Sequence, residues 1–449
     1  MGAASPRLDG PLREPVRRAP LWLLLVPLQV CVGYGLAVGS VSAFVVLAAI
    51  AAVGVALLFP RATLLGALVA VPLVHVSVRG VPIGEAMVAG AVLGLFVHFL
   101  ANDHSLRLER PPAWLVFGFA VMFYLLLAST IFNDALDGEA VRRFGHLAVG
   151  AMLAWLLAAR AVEPESAAKA LLVGLLISGL VGFGSLAFGF LPVGNAGSED
   201  RLAGLFGDPN VAGFYVLTIG TASLGFIKSR RARLLLGGAL LAILVGTLSR
   251  TSLLGTALVP IWVIASGKGY VWLPVAAVAV CGFLAFGLSQ QVKDTGPFQD
   301  RGRSDSFRRD VYSKTKESAA TSPLLGQGAA PERLLVQGGR IFPHSSYLAA
   351  VIEGGVFWLL AWLAVLVTTL WKLTRARRRN LLLEGAIVAL FIVAINLGEV
   401  LFELPAMALI GLAVAYLSKA ARPGAQVTPP SASRRASQPA LAAGAPASQ

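Results

Sequence analysis

RIFPHSSYLAAVIEGGVFWLLAWLAVLVTTLW, residues 340–371, decides how this chain is read. A polar, arginine-bearing segment closes on Pro343-His344-Ser345, and from there to Trp371 the chain is almost wholly apolar, with Glu353 as its one charge. At 1.5 Å of rise per residue, such a run is long enough as a helix to cross a hydrocarbon core of about 30 Å. The same pattern recurs on both sides. Apolar runs bounded by charges or by Pro and Gly occupy 21–38, 41–59, 63–79, 82–100, 112–132, 143–161 and 167–190. After a polar break come 211–227, 233–249, 251–266 and 270–289, and beyond residue 371 come 381–398 and 402–418. The runs are continuous rather than alternating, which excludes a β-barrel. The expected fold is all-α: a polytopic transmembrane helical bundle of about 12–14 spans.

Composition agrees. Apolar residues make up 57% of the chain and charged ones 13%, against about a quarter charged in soluble proteins. The two cysteines, Cys31 and Cys281, both lie in apolar runs and read as packing residues rather than as a disulfide or metal pair. The net charge of +14 does not point to nucleic acid, because of where it falls. Lys228, Arg230, Arg231 and Arg233 share one short loop, and Lys372, Arg375, Arg377, Arg378 and Arg379 share another. Basic clusters flanking apolar spans follow the positive-inside rule and set orientation.

That rule divides the chain. Residues 1–20, with Arg7, Arg13, Arg17 and Arg18, read as a cytoplasmic tail before an uncleaved first helix. Residues 21–289 are transmembrane helices, 290–344 one large extracytoplasmic loop, 345–418 further transmembrane helices and 419–449 a disordered cytoplasmic tail rich in Ala, Pro, Ser and Gln. With the N-terminus inside, the basic loops at 101–111, 228–233 and 372–379 fall on the cytoplasmic side. Asp134, Asp137 and Glu139 fall outside as a solvated loop. The 290–344 segment runs against the charge bias, with nine basic residues to six acidic between Gln290 and Pro343. A long loop can be translocated in spite of its charge, and binding an anion supplies a reason for keeping it.

Three candidates for chemistry then fall on the outer face. Arg201 precedes a span in Arg201-Leu202-Ala203-Gly204-Leu205-Phe206-Gly207-Asp208-Pro209-Asn210. Arg250 sits in the joint Leu248-Ser249-Arg250-Thr251-Ser252, with an apolar run on each side. His344 ends the large loop. Alone, Arg201 reads as a snorkelling side chain and His344 as a helix-start hydrogen-bonder. Arg250 is harder to dismiss, since charge held at such depth is costly and marks function. Together they suit one task. Guanidiniums bind phosphate through two parallel hydrogen bonds, so two of them could neutralise a diphosphate without a metal. An imidazole titrating near neutrality can take a proton from a hydroxyl. No metal-binding pattern such as His-Glu-x-x-His, Cys-x-x-Cys or an outer-loop Asp-x-Asp occurs, so no metal or other cofactor is expected.

In this order the motifs resemble those of the O-antigen ligase and polysaccharide polymerase family. Arg201-Leu202-Ala203-Gly204-Leu205-Phe206 with Pro209-Asn210 is similar to its Arg-x-x-Gly-x-Phe and Pro-Asn. Ser249-Arg250 is similar to its Ser-Arg joint, and Pro323-Leu324-Leu325-Gly326-Gln327-Gly328 to a Pro-x-x-Gly-x-Gly element. His344-Ser345-Ser346-Tyr347-Leu348 through Glu353-Gly354-Gly355 is similar to His-Asn-x-Tyr-Leu with a downstream Glu-x-Gly. Ser345 departs from the family's Asn, although a serine can still cap a helix there. The resemblance covers roughly residues 195–370.

It implies a GT-C-like bundle in a bacterial inner (plasma) membrane. It also implies metal-independent transfer of a glycan from a polyprenyl diphosphate carrier to a hydroxyl on another glycan or a lipid. Polymerase and ligase both remain open. Arg201 and Arg250 would hold the diphosphate, and His344 would orient or deprotonate the acceptor. Arg308, Arg309, Asn210 and Tyr347 would contact substrate. The alternative is a transporter or flippase for an anionic lipid-linked glycan, using the same arginines without chemistry.

Overall fold

The computed structural model describes residues 53–74, 77–78, 81–101, 108–188, 201–266, 275–276, 302–329, 334–336, 339–341, 343–398 and 400–421. The expected span 21–38, most of 41–59 and of 270–289, and both tails apart from residues 419–421 lie outside the described residues. In chain order the helices are α1 (Pro60–Ala70), α2 (Ile83–Ala101), α3 (Ala113–Phe132), α4 (Gly138–Ala158), α5 (Pro164–Phe188), α6 (Pro209–Tyr215), α7 (Arg230–Thr247) and α8 (Arg250–Ser266). They continue as α9 (Gly302–Thr321), α10 (Ser346–Thr374), α11 (Leu381–Val393) and α12 (Leu404–Ala420). Among the described residues, α3, α4, α5 and α10 are each long and apolar enough to cross a membrane, and five shorter helices are apolar. The fold is the expected helical membrane bundle.

Local chemistry sets the helix starts. Asp137 caps α4 by accepting from the Ala140 N–H (2.8 Å), and Asp208 caps α6 by accepting from Asn210 and Val211. Ser229 and Asn380 do the same for α7 and α11. These bonds satisfy backbone donors that the first helical turn leaves open. One expected span ends early. The run from residue 63 stops as a helix at Leu73 after a 3₁₀ turn, and Ser77–Val78 (β1) pairs antiparallel with Val81–Pro82 (β2). The run from residue 211 is irregular too, passing from α6 through a π turn at Val216–Gly220 to a last turn at Thr221–Leu224.

α12 forms the centre. Every residue from Leu404 to Ala415 is buried, as a helix apolar on all sides requires. It lies against α4, where a Cβ on Gly411 would stand 2.8 Å from the Ala154 backbone. Glycine here permits the close helix approach common in membrane bundles. On the outer surface Phe117, Tyr124, Leu180, Leu235 and Ile264 are exposed, as lipid-facing residues would be.

The 290–344 segment is more ordered than the loop expected there. It contains α9 and a hairpin, Leu334–Val336 (β3) with Gly339–Ile341 (β4). Val311, Thr315 and Ala319, spaced by four, form the buried stripe of α9, which packs on α10. The polar composition of α9 hides this narrow stripe from a hydropathy reading.

Candidate functional site

The C-terminal end of α7 anchors the first arginine. α7 stops because Leu248 takes the left-handed conformation (φ 46°), and α8 begins two residues later. Arg201 reaches this joint from the preceding loop. Its Nε donates to the Thr247 carbonyl (2.9 Å) and its Nη2 to Asn210 Oδ1 (3.1 Å). The Leu202 N–H adds a bond to the Gly246 carbonyl (2.8 Å). A guanidinium at a helix C-terminus offsets the partial negative charge of its open carbonyls. The joint is braced from within: the Thr247 hydroxyl donates to the Leu244 carbonyl and accepts from the Ser249 N–H, and the Ser249 and Ser252 hydroxyls meet at 3.1 Å. Arg250, half-buried, opens α8. Arg201, Asn210 and the Arg250 joint are therefore one connected structure.

His344 stands at a second junction. The Ser346 N–H donates to the carbonyls of Ala394 and Leu397, and its hydroxyl donates again to Leu397 (2.6 Å). Tyr347 donates its hydroxyl to the Phe391 carbonyl (2.7 Å). Both residues tie the start of α10 to the end of α11. Ser345 occupies the N-cap position, yet its side chain makes no capping bond. The chain's pull toward α11 has replaced the expected cap.

The two junctions share one end of the bundle. Arg379, just before α11, donates to the Ser266 carbonyl at the end of α8 (3.0 Å), and Trp262 donates to Glu384 in the first turn of α11. α8 and α11 thus run antiparallel, so Arg250 at the start of α8 lies at the end where α11 finishes and His344 sits. Tyr215 on α6 donates to Glu403 just ahead of α12 (2.7 Å), which joins the Arg201 side to the same region. The basic loops at 228–233 and 372–379 meet at the opposite end, where Asn380 donates to the Gly225 carbonyl (3.2 Å). Arg308 and Arg309 lie on α9.

A buried ion pair was not foreseen from the sequence. Arg143 on α4 binds Glu353 on α10 through two parallel bonds, Nε to Oε2 (3.0 Å) and Nη2 to Oε1 (2.7 Å). The side chains are 10% and 5% exposed. The Arg143 guanidinium lies 4.7 Å from the Phe402 ring centroid, and Phe402 packs on Trp358 and Trp362. The signal available was a base opening the 143–161 run and a lone acid in 345–371. In apolar surroundings such charges seek each other.

Beside this pair α10 is broken. Gly355 has φ 74° and ψ −177°, and Pro323–Gly328 fills the break. The Gln327 N–H donates to the Ile352 carbonyl (2.6 Å), the Gly328 N–H to the Glu353 carbonyl (3.0 Å), and the Val356 N–H to the Pro323 carbonyl (2.8 Å). Ser129 on α3 donates to the Glu353 carbonyl (2.8 Å) and accepts from the Gly328 N–H. A Cβ on Gly355 would stand 2.0 Å from the Leu324 carbonyl oxygen, on a backbone that L-residues avoid. Gly355→Ala should therefore lower stability by roughly 1–3 kcal/mol or more, read as a drop in the thermal midpoint of the solubilised protein. An unchanged midpoint would contradict this packing. Among the described residues no three His, Cys, Asp or Glu side chains group as metal ligands would.

The fold is that of a helical membrane bundle, with Arg201, Arg250 and His344 toward one of its ends. Residues 211–363 match the family model described as O-antigen ligase. The chain is also similar to an O-antigen ligase of Pseudomonas aeruginosa, 31% identical over 135 residues, which are 29% of this chain. The match spans 31% of that relative's length. The family match contains Arg250, the Pro323–Gly328 element, His344 and Glu353, while Arg201 and Asn210 precede it.

Proposed function

We propose that this protein is a membrane glycosyltransferase moving a glycan from a polyprenyl diphosphate carrier to a hydroxyl acceptor at the membrane surface opposite the basic loops. The observation that carries the reading is the placement of Arg201, the Arg250 joint and His344 at one end of the bundle. In the reaction the acceptor oxygen attacks the anomeric carbon and a new glycosidic bond forms. The bond from that carbon to the diphosphate breaks, and polyprenyl diphosphate departs with the electron pair. His344 takes the proton from the acceptor hydroxyl. Arg201 and Arg250 offset the charge that grows on the leaving diphosphate. Arg308 and Arg309 on α9, with Asn210, assist on the donor side. Tyr347 fixes the junction that carries His344.

The test uses purified protein in vesicles, with polyprenyl diphosphate-linked glycan, a hydroxyl acceptor and no ion gradient. Glycosylated acceptor together with released polyprenyl diphosphate is the expected result. Movement of the intact donor between leaflets with no transfer would replace this reading with a transporter.

A further inference from the structure

A second basic site lies at the other end of α10. A cavity of about 400 Å³ opens between the ends of α10 and α12, lined by Lys372, Arg375 and Arg377 together with Ala376, Leu417, Ala420 and Ala421. α10 runs 29 residues from the His344 junction to this cavity, on the order of 40 Å at helical rise, about a membrane thickness away. The two sites therefore cannot share a headgroup.

The charges here differ from their neighbours. Lys419, on the α12 side, is neutralised by Glu163 and Glu165, and Arg379 by the buried Glu384. Hydrogen bonding from Lys419 holds the Glu163 carboxyl below the ordinary carboxylate range. Among the described residues, by contrast, no carboxylate forms an ion pair with Lys372, Arg375 or Arg377. Like charges crowded into a cavity repel unless an anion enters.

The depth is marked by tryptophan. Arg375 lies 4.3 Å from the Trp371 ring centroid, and Lys372 lies 5.8 Å from Trp371 and 5.9 Å from Trp114. Tryptophans paired with basic residues at the ends of apolar helices sit at headgroup level. Below the cavity, Phe357, Leu360, Val367 and Trp371 lie exposed on one face of α10, an apolar track leading from the cations toward the bilayer interior.

We infer that this cavity binds the phosphodiester headgroup of an acidic phospholipid, with the acyl chains lying along the exposed face of α10. A basic pocket between helix ends joined to an apolar track suits a lipid, where a soluble phosphate would use only the cations.

The experiment uses full-length protein stripped of lipid in neutral detergent and titrated with phosphatidylglycerol, phosphatidylcholine or inorganic phosphate, with bound adducts counted by native mass spectrometry. Phosphatidylglycerol should bind in preference to phosphatidylcholine, and inorganic phosphate should not displace it. Lys372→Gln/Arg375→Gln/Arg377→Gln should weaken the adduct by roughly a hundredfold, about fivefold per cation. Lys228→Gln/Arg230→Gln/Arg231→Gln removes equal charge from the same face and should leave the adduct intact. Equal loss in both triple variants, retention in the first, or displacement by inorganic phosphate would each overturn the proposal. If the first triple variant does not fold, Arg377→Gln at an exposed position carries the same comparison.

Discussion

Arg250→Ala should reduce glycan transfer by at least about a hundredfold, the usual cost of removing a preorganised group aimed at charge that develops in the transition state. The chain should still reach the membrane in normal amount, because the Thr247–Ser252 joint has a hydroxyl network of its own. Arg250→Lys keeps the charge and loses the planar fork, so transfer should recover only in part. His344→Ala should lose a comparable factor, on the scale of about 10²–10⁴ for a positioned base. Because His344 would act on the acceptor, its loss should leave donor binding unchanged, whereas Arg250→Ala should weaken it. Single-turnover transfer and donor binding, measured side by side on purified protein, separate these roles. Undiminished product from either alanine variant would end the assignment.

Arg143→Ala should act on the fold instead. Removing the base leaves the Glu353 carboxylate buried without its partner, and a severed buried pair costs about 3–5 kcal/mol. A large fall in the thermal midpoint is expected, followed by the fluorescence of Trp358 and Trp362, which surround the pair through Phe402. Glu353→Ala should fall nearly as far, since it strands a cation. Replacing both, as Arg143→Met with Glu353→Leu, should recover much of the loss, because an apolar pair of similar volume has no charge to desolvate. The double-mutant cycle then reports the coupling directly. Additive losses would mean that the two side chains stabilise the bundle separately.

The bundle was legible in the sequence because hydropathy acts locally: each apolar run on described residues became a helix, apart from the early stop at Leu73. The motifs singled out Arg201 and Arg250, and the structure links Arg201 to the Thr247 carbonyl, three residues ahead of Arg250. What escaped depends on contacts between distant segments. The Arg143–Glu353 pair spans 210 positions, and neither residue has a neighbour that announces the other. The bond from Tyr347 to the Phe391 carbonyl at the junction with α11 spans 44 positions and has no local signal either. The stripe on α9 was hidden by the charges around it.

The break in α10 also orders the birth of this protein. The carbonyls of Ile352 and Glu353 and the N–H of Val356 have partners on Pro323–Gly328, a stretch made earlier in synthesis. Until that stretch has folded back against α10, those groups lack these partners in an apolar setting, where an open backbone group is costly. Docking of the Pro323–Gly328 stretch and completion of α10 are thus a single late act of assembly.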